Sequence, residues 1–327
     1  KQIARFKPKN IILIERNEPS LYKINEELKT LIQSNTSLFL YLGCAQNQSF
    51  IKKIFTRHQI DRVFHCAAYK HVPIVENNPI EGIYNNLKTT KVLTQVSHQT
   101  NVKKFILISS DKAVRPTNIM GASKRICELI TYYYSTKNNP QDISTTKYAI
   151  VRFGNVLESS GSVVPLFKNQ IKKGGPVTVT HKEVIRYFMT LTEASQLVIQ
   201  AANLSKGSEL FLLDMGEPIR IYELAKRMIK LSGKTIRDNE NPNGDIEIVE
   251  MGLRPGEKLY EELLINSKAI PTDYPLIYEA KNDIELPEDF EEHLKNIEDS
   301  LEKQDLKETL TNLSKLVPLW VKKKSIN

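Results

Sequence analysis

Between residues 11 and 153 short apolar runs alternate with segments of helical spacing, and this rhythm constrains the fold more than any other feature of the chain. Ile11-Ile12-Leu13-Ile14 is an unbroken apolar run, as a strand covered on both faces must be. Glu18 to Ser34 then brings Leu21, Ile24, Leu28 and Leu31 to one helical face. The pattern repeats with a strand at Leu38 to Leu42, a helix around Gln48 to Arg57, and a strand at Arg62 to Cys66. A helix from about Val75 to Gln99, a strand at Lys104 to Ser109, a helix at Asn118 to Thr136 and a strand at Tyr148 to Phe153 complete it. Alternating strands and helices require crossovers, which are right-handed, and predict an α/β fold with a doubly wound parallel sheet. Ligands of such a sheet lie beyond the carboxyl ends of its strands, so chemistry is expected just after each apolar run.

After Gly154 the rhythm loosens, punctuated by Gly161, Gly174-Gly175-Pro176 and Pro218. Glu209 to Leu213 reads as a strand returning to the main sheet, Tyr222 to Leu231 as a helix, and Asp245 to Glu250 as a strand. The stretch from about Glu288 to Val321 is charged and amphipathic; its Trp320, the one tryptophan of the chain, is expected to pack on the body. With 327 residues the chain suits two units. The expected division is a dinucleotide-binding domain over 1–157 and a mainly substrate-binding lobe over 158–327, with about 190–215 returning to the main sheet.

Several function classes are excluded. No run approaches the roughly 20 apolar residues that span a bilayer, and Lys1-Gln2-Ile3-Ala4-Arg5 leads directly into charged sequence, unlike a secretion signal. The formal charge of +8 reads as a lysine-rich surface or as attraction to an anionic substrate or membrane face. No nucleic-acid partner is expected, because basic spots such as Lys322-Lys323-Lys324 are short. Cys44, Cys66 and Cys127 lack paired spacing and read as reduced thiols of a cytoplasmic protein, at the inner face of the plasma membrane if transmembrane helices precede residue 1. His181-Lys182-Glu183 has metal-ligand residue types without the spacing, and no metal is expected.

Glu15 closes the first apolar run, where an acid can hydrogen-bond an adenosine ribose and favour NAD; Arg16 could instead accept a 2′-phosphate and admit NADP, and a solvated Glu15 is an equal alternative. A glycine-rich phosphate loop belongs roughly 20 residues before such an acid. Lys1 to Ile14 contain no glycine and begin like the end of the helix such a loop opens, so the sequence is expected to lack the first strand and loop of a Rossmann-like domain. Ala67 and Ala68, after the third strand, either let a cofactor approach the backbone or serve tight packing. Asn86, polar in a helix that should pack, either anchors the site or faces water.

The most informative segment is Ser109-Ser110-Asp111-Lys112-Ala113-Val114-Arg115-Pro116-Thr117-Asn118-Ile119-Met120-Gly121-Ala122-Ser123-Lys124. It starts at a strand's carboxyl end and runs into a helix, converging a hydroxyl, an acid and two amines. Singly, Asp111 could cap a turn, Lys112 face solvent and Met120 fill the core; as a set at a strand end they point to catalysis.

This segment, with AAYKHVP (67–73), RFGNVLESSGSVVPLF (152–167), VTVTHKEVIRYFMT (177–190) and GLRPGEKLYEELL (252–264), resembles the extended short-chain dehydrogenase/reductase superfamily. Within it the chain is similar to the UDP-N-acetylglucosamine 4,6-dehydratases of bacterial polysaccharide biosynthesis, the CapD-like family, and to their long membrane-anchored branch. The superfamily's Tyr-x-x-x-Lys becomes Met120 and Lys124, as in that branch; methionine cannot act as a phenolate base.

The resemblance implies oxidation at sugar C4 with hydride passing to NAD(P), loss of water across C5 and C6, and hydride return to C6. It implies Asp111 as the acid to the C6 hydroxyl and Lys112 as the C5 base, which needs burial to raise one pKa and lower the other. Ser110 would lie near the C4 oxygen, Lys124 would hold the nicotinamide ribose, and the C4 proton would pass to a water or to the Asp111/Lys112 pair. Arg186 and Arg254 are implied diphosphate ligands, Glu257 a ribose acceptor, Asn155 a nucleotide contact, and Lys70 and His71 sugar neighbours, His71 alternatively being structural. Glu261-Glu262 reads as a solvated helix face. A UDP-sugar substrate and a homo-oligomer are expected. Cys44, where relatives carry an adenine-contacting Asp, and Thr89, where they carry Gly, depart from the pattern. The rivals are a C5-inverting dehydratase, a 4-epimerase, and a non-catalytic nucleotide-sugar-binding remnant.

Overall fold

The computed structural model describes residues 1–32, 35–137, 146–159, 161–264, 269–281 and 283–320. A single 3₁₀ turn at Ile3–Phe6 leads into strand β1 (Asn10–Glu15), helix α1 (Glu18–Lys29), β2 (Ser37–Leu42) and α2 (Gln48–His58). Then come β3 (Arg62–His65), α3 (Val72–Asn77), α4 (Pro79–Gln99), β4 (Lys104–Ile108), α5 (Ile119–Thr136) and β5 (Lys147–Arg152). The α/β alternation is as expected, with one difference. The helix expected from Val75 to Gln99 is two helices, because Asn78 precedes Pro79 and leaves the helical region at φ −135°, ψ 60°, after which Pro79 starts α4.

β3, β4, β5 and the strand Glu209–Leu213 form a parallel sheet, extended by antiparallel Ile277–Ala280 and Ala269–Pro271. Apolar residues alternate between its two faces, as the two-residue period of a strand requires. Phe105, Leu107, Tyr148, Ile150, Leu210 and Leu212 point into the core shared with α4 and α5. Ile106, Ala149, Val151, Phe211 and Leu213 point into a second core closed by helix Leu191–Leu204. Each fully buried Leu, Ile or Phe contributes on the order of 1.5–3 kcal/mol. Burial on both faces is why these strands read as continuous apolar runs.

β1 and β2 pair in parallel as a separate two-stranded sheet, Ile11 opposite Leu38. Among the described residues no strand hydrogen-bonds to both β1 and β3. Side chains join the two sheets instead: Arg16 donates to Tyr69 Oη and to Asn85 Oδ1, and Gln46 Nε2 donates to Asn85 Oδ1. Ile12, Ile14 and Tyr41 pack on the main core.

A smaller core gathers Phe167, Val177, Val179, Ile221, Ala225, Ile229 and Ile246 from two helices, Val163–Lys172 and Ile221–Leu231, and a sheet of Val177–Val179, Ile246–Glu250 and Ile236–Arg237. The C-terminal stretch is also two helices, Phe290–Glu302 and Leu306–Leu316. They part where Gln304 takes a positive φ and the Asp305 side chain caps the second by accepting from Glu308 N. Trp320 is buried on the main core, while Lys322-Lys323-Lys324 lie outside the described residues. No described helix is long and apolar enough to cross a membrane.

Candidate active site

β4 ends at Ile108, and the chain keeps its register beside β5 for three more residues: Ser109 N donates to Val151 O and Asp111 N to Phe153 O. Ser110 is extended, and its Oγ accepts from Lys112 N at 3.2 Å, opening one 3₁₀ turn over Asp111–Ala113. That turn inverts the usual pattern of a charged loop. Asp111 is 2% exposed, and its Oδ1 accepts from Ser110 Oγ at 2.7 Å and Lys112 Nζ at 2.9 Å. Gly154 gives Oδ2 its room: a Cβ there would stand 3.3 Å away. Lys112 Nζ also donates to Asn155 Oδ1 at 3.4 Å and lies 3.7 Å from Glu261 Oε1.

The structure corrects two expectations here. The role of C5 base expects a Lys112 pKa lowered by burial. Burial does pull it down, but the carboxylates of Asp111 and Glu261 outweigh burial and hold it above the ordinary lysine value. Glu261, which reads in sequence as a solvated helix face, has a buried side chain outside any helix, and burial raises its carboxyl's pKa. A surface reading needs a helical period, and residues 254–264 form no regular element among those described.

The next helix is fixed onto this turn. Asn118 Oδ1 accepts from Gly121 N, and Glu76 Oε1 accepts from Ile119 N at 2.5 Å, which satisfies two free donors at the start of α5. Gly121 is required by close approach: a Cβ there would meet Lys112 O at 2.2 Å. Gly121→Ala therefore has to push the Lys112 backbone away. It should lower stability by about 1–3 kcal/mol, read by denaturant unfolding, and reduce any turnover disproportionately. Met120, in the usual tyrosine position, is buried in the main core. Lys124 reaches back to β4, its Nζ donating to Ile108 O at 2.6 Å.

Beyond β3, the strand beside β4, Ala67 is exposed and Ala68 half-buried, leaving open backbone. Asn86, a cofactor candidate in the sequence, is fully buried instead. It accepts from Tyr69 N and donates to Tyr69 O and Ser123 Oγ, so it fixes the loop rather than contacting a ligand. Lys70 and His71 are exposed, and the His71 ring packs on Gly161 so closely that a Cβ there would stand 2.4 Å from it. Glu15 Oε1 accepts from Asn17 N, at the carboxyl end of β1. Ala67, Ala68, Lys124 and Glu15 fit the nicotinamide, its ribose and the adenosine ribose of a dinucleotide. The buried His65 Nδ1, which has no partner, lies at the end of β3 as a further polar atom. A glycine-rich turn for the diphosphate is not found among the described residues.

The substrate-side candidates converge on one strap. Arg186 Nη1 donates to Ile185 O and Leu259 O, and Nη2 donates to Lys258 O and Glu257 Oε1. Glu257 also accepts from Thr180 Oγ1 and, through Oε2, from Arg254 N. Arg186 and Glu257, expected as ligands of diphosphate and ribose, are thus committed to holding the 254–259 segment, while Arg254 is exposed. The strap crosses the segment after β4: Lys258 Nζ donates to Val114 O, Thr117 Oγ1 to Gly256 O, and Arg115 pairs with Glu262. Gly256 has φ +73°, and a Cβ there would stand 2.7 Å from Thr117 O. This crossing delivers Glu261 to Lys112. Its sequence signal was present in Arg-Pro-Gly-Glu-Lys, which fixes a turn but not the surface the turn packs against.

Beneath the site lies a buried ion network. Arg152 on β5 donates through Nε to Glu128 Oε1 and through Nη2 to Glu128 Oε2, both at 2.7 Å, and through Nη1 to Asp283 Oδ2 at 2.5 Å. Glu128 on α5 also accepts from Arg125 and from Ser109 Oγ at 2.6 Å, next in sequence to the Ser110 cap. Burial opposes charge on Glu128, but Arg152 and Arg125 overcome it and hold its pKa down to about 2. Among the described residues no group of three His, Cys, Asp or Glu is arranged to hold a metal ion, and the three cysteines are free thiols.

Known proteins share this arrangement of strands and segments. The model of the family described as polysaccharide biosynthesis protein matches residues 1–282. The capsular polysaccharide biosynthesis protein CapD of Staphylococcus aureus is 46% identical over 284 residues, 86% of this chain and 45% of the relative. A UDP-glucose 4-epimerase of Rickettsia rickettsii is 31% identical over 265 residues, 81% of this chain and 72% of the relative. Among solved structures, Pen from Bacillus thuringiensis is 33% identical with a TM-score of 0.75, covering 85% of this chain and 82% of that one. DesIV, a dTDP-glucose 4,6-dehydratase of Streptomyces venezuelae solved with NAD and TYD bound, shares the fold at 16% identity, TM-score 0.64, over 79% of this chain and 80% of that one. The chain spans about half the length of the curated relatives it matches first.

Proposed function

The chain belongs to the polysaccharide biosynthesis protein family, and we propose that it carries the catalytic part of a nucleotide-sugar 4,6-dehydratase acting on UDP-N-acetylglucosamine. One observation carries this reading: an acid and an amine, Asp111 and Lys112, sit 2.9 Å apart, largely buried, at the carboxyl end of a central parallel strand. Elimination of water needs a base at C5 and an acid at the C6 oxygen on neighbouring atoms, and adjacent side chains supply both. A 4-epimerase needs only a proton acceptor at C4, so the pair favours the dehydratase over the activity carried by the Rickettsia relative's name.

Bound NAD would supply the reversible acceptor for the C4 hydrogen, held at its nicotinamide end by Ala67, Ala68 and Lys124 and at its adenosine ribose by Glu15. The protein's own part is proton transfer. Asp111, as a carboxylate, takes the C4 hydroxyl proton that Met120 cannot take. It then gives that proton to the C6 hydroxyl, which leaves as water. Lys112 removes the C5 proton and returns it when C6 is reduced. Ser110 aligns Asp111, and the Lys124 ammonium stabilises negative charge developing on the sugar. The exposed Arg254 suits the UDP diphosphate.

The test is incubation of the chain, alone and joined to a strand with a glycine-rich turn and helix, with UDP-N-acetylglucosamine and NAD. Proton NMR should show a 6-methyl, 4-keto sugar. A product with an unaltered C6 hydroxymethyl and inverted C4 would replace this reading with the epimerase, and the C5 coupling pattern separates retention from inversion.

A further inference from the structure

Glu261 stands outside every role assigned above, and its surroundings are unusual for a carboxyl. Its side chain is 5% exposed. Oε1 lies 3.7 Å from Lys112 Nζ, the same amine that donates to Asp111 Oδ1. Oε2 is buried with no hydrogen-bond partner. An orphaned buried carboxyl oxygen costs free energy, and such groups are kept where they accept something. The charged groups acting on Glu261 are Lys112 and Asp111 from the turn after β4, Arg186 from the strand Ile185–Arg186, and Lys258 from its own strap.

We propose that Glu261 is a positioning residue for Lys112 that receives the ammonium proton of Lys112 and returns it once per turnover. The proposal rests on the dehydratase reading and resolves a difficulty in it: Lys112 begins the cycle protonated, yet a base needs a lone pair. Protons balance through the cycle. Asp111 first gains the C4 hydroxyl proton and becomes neutral, removing one of the two carboxylates that keep Lys112 charged. Released from Asp111, the Lys112 ammonium closes the 3.7 Å gap to Glu261 Oε1; an Nζ–H bond then breaks and an O–H bond forms on Glu261, leaving a neutral amine beside a neutral acid. Beside the buried Glu261 carboxyl a neutral pair avoids the desolvation cost that two ions carry. The amine lone pair takes the C5 proton, the C5–H electrons form the C5–C6 double bond, and the C6–O bond breaks with its oxygen taking the Asp111 proton. Lys112 gives its proton back to C5 when C6 is reduced, Glu261 reprotonates Lys112, and all three side chains end as they began. Burial raises the Glu261 carboxyl toward neutrality, in the direction this exchange needs.

The experiment uses the full chain labelled with ¹⁵N at lysine side chains, with Glu261→Gln and Glu261→Asp as variants. In the free protein the Lys112 titration midpoint, assigned by its loss in Lys112→Arg, should fall by about 1–2 pH units in Glu261→Gln and less in Glu261→Asp. In turnover, Glu261→Gln should still oxidise C4, seen as transient reduced nicotinamide. Exchange of the C5 hydrogen with deuterated solvent should drop about 100-fold, and Glu261→Asp should recover part of it. An unmoved Lys112 midpoint in folded Glu261→Gln overturns the proposal, as does wild-type C5 exchange in that variant. A wild-type chain that oxidises no sugar even when joined to the strand, glycine-rich turn and helix defeats the dehydratase reading alone, and the titration still decides the pairing.

Discussion

Asp111→Asn and Lys112→Ala should each slow formation of the 6-methyl product by about 10²–10⁴-fold while leaving nucleotide-sugar affinity within a few-fold. The reason is geometric. Asp111 Oδ1 already accepts from both Ser110 and Lys112, so asparagine can keep the shape of the turn but cannot carry a proton between C4 and C6. Lys112→Ala removes the proposed C5 base and leaves Glu261 and Asp111 facing each other without their cation. The two variants should fail differently. Lys112→Ala should retain C4 oxidation and accumulate the 4-keto sugar with its C6 hydroxyl intact, whereas Asp111→Asn should be slow already at C4. Stopped-flow absorbance of reduced nicotinamide, set beside product NMR, separates them. Wild-type turnover in both variants would remove the chemical basis of the dehydratase reading.

The second large effect is on stability. Glu128→Leu takes two of the charge-assisted bonds from Arg152, which is 0% exposed, and leaves it the Asp283 carboxylate alone of that network. The change should cost about 3–5 kcal/mol in chemical denaturation. The companion change Arg152→Met in the same chain should recover much of that loss, because an apolar pair replaces a stranded charge. The network also sets a pH dependence. The Glu128 pKa is held at about 2 in the fold against an ordinary 4.5, so its contribution is complete above the ordinary value. It is lost as pH falls from about 4.5 toward 2. In Glu128→Leu that acid-side slope should flatten. A variant within about 1 kcal/mol of wild type would show that the network is not a structural support.

The network and Glu261 also mark where local sequence stops being informative. The strands were legible because burial on both faces forces continuous apolar runs such as Phe105-Ile106-Leu107. The segment Ser110-Asp111-Lys112 was legible as a candidate site because a hydroxyl, an acid and an amine directly follow an apolar run, whereas the Ser110 cap that shapes its turn came only with the structure. Glu128, Arg152 and Asp283 gave no such signal. They are far apart in sequence, each looks like a surface charge alone, and only the packing of α5, β5 and the segment after the strand Ile277–Ala280 makes them one group. Arg186 and Glu257 had the right chemistry for a nucleotide, but residue type does not say whether a guanidinium faces a ligand or a neighbouring carbonyl. Asn86 likewise holds Tyr69 and Ser123 in place of a cofactor.

The sequence by itself determined the parallel α/β sheet, the end of it where chemistry belongs, and the acid–amine pair at that end, because these depend on residues near one another in the chain. Tertiary structure alone decided which carboxylates face the amine of that pair, and so the direction in which its pKa moves. A pKa depends on every charge within a few ångströms, and the carboxyl of Glu261 reaches Lys112 only because the 254–263 strap, pinned by Arg186 and by Gly256 against Thr117, folds back across the turn after β4.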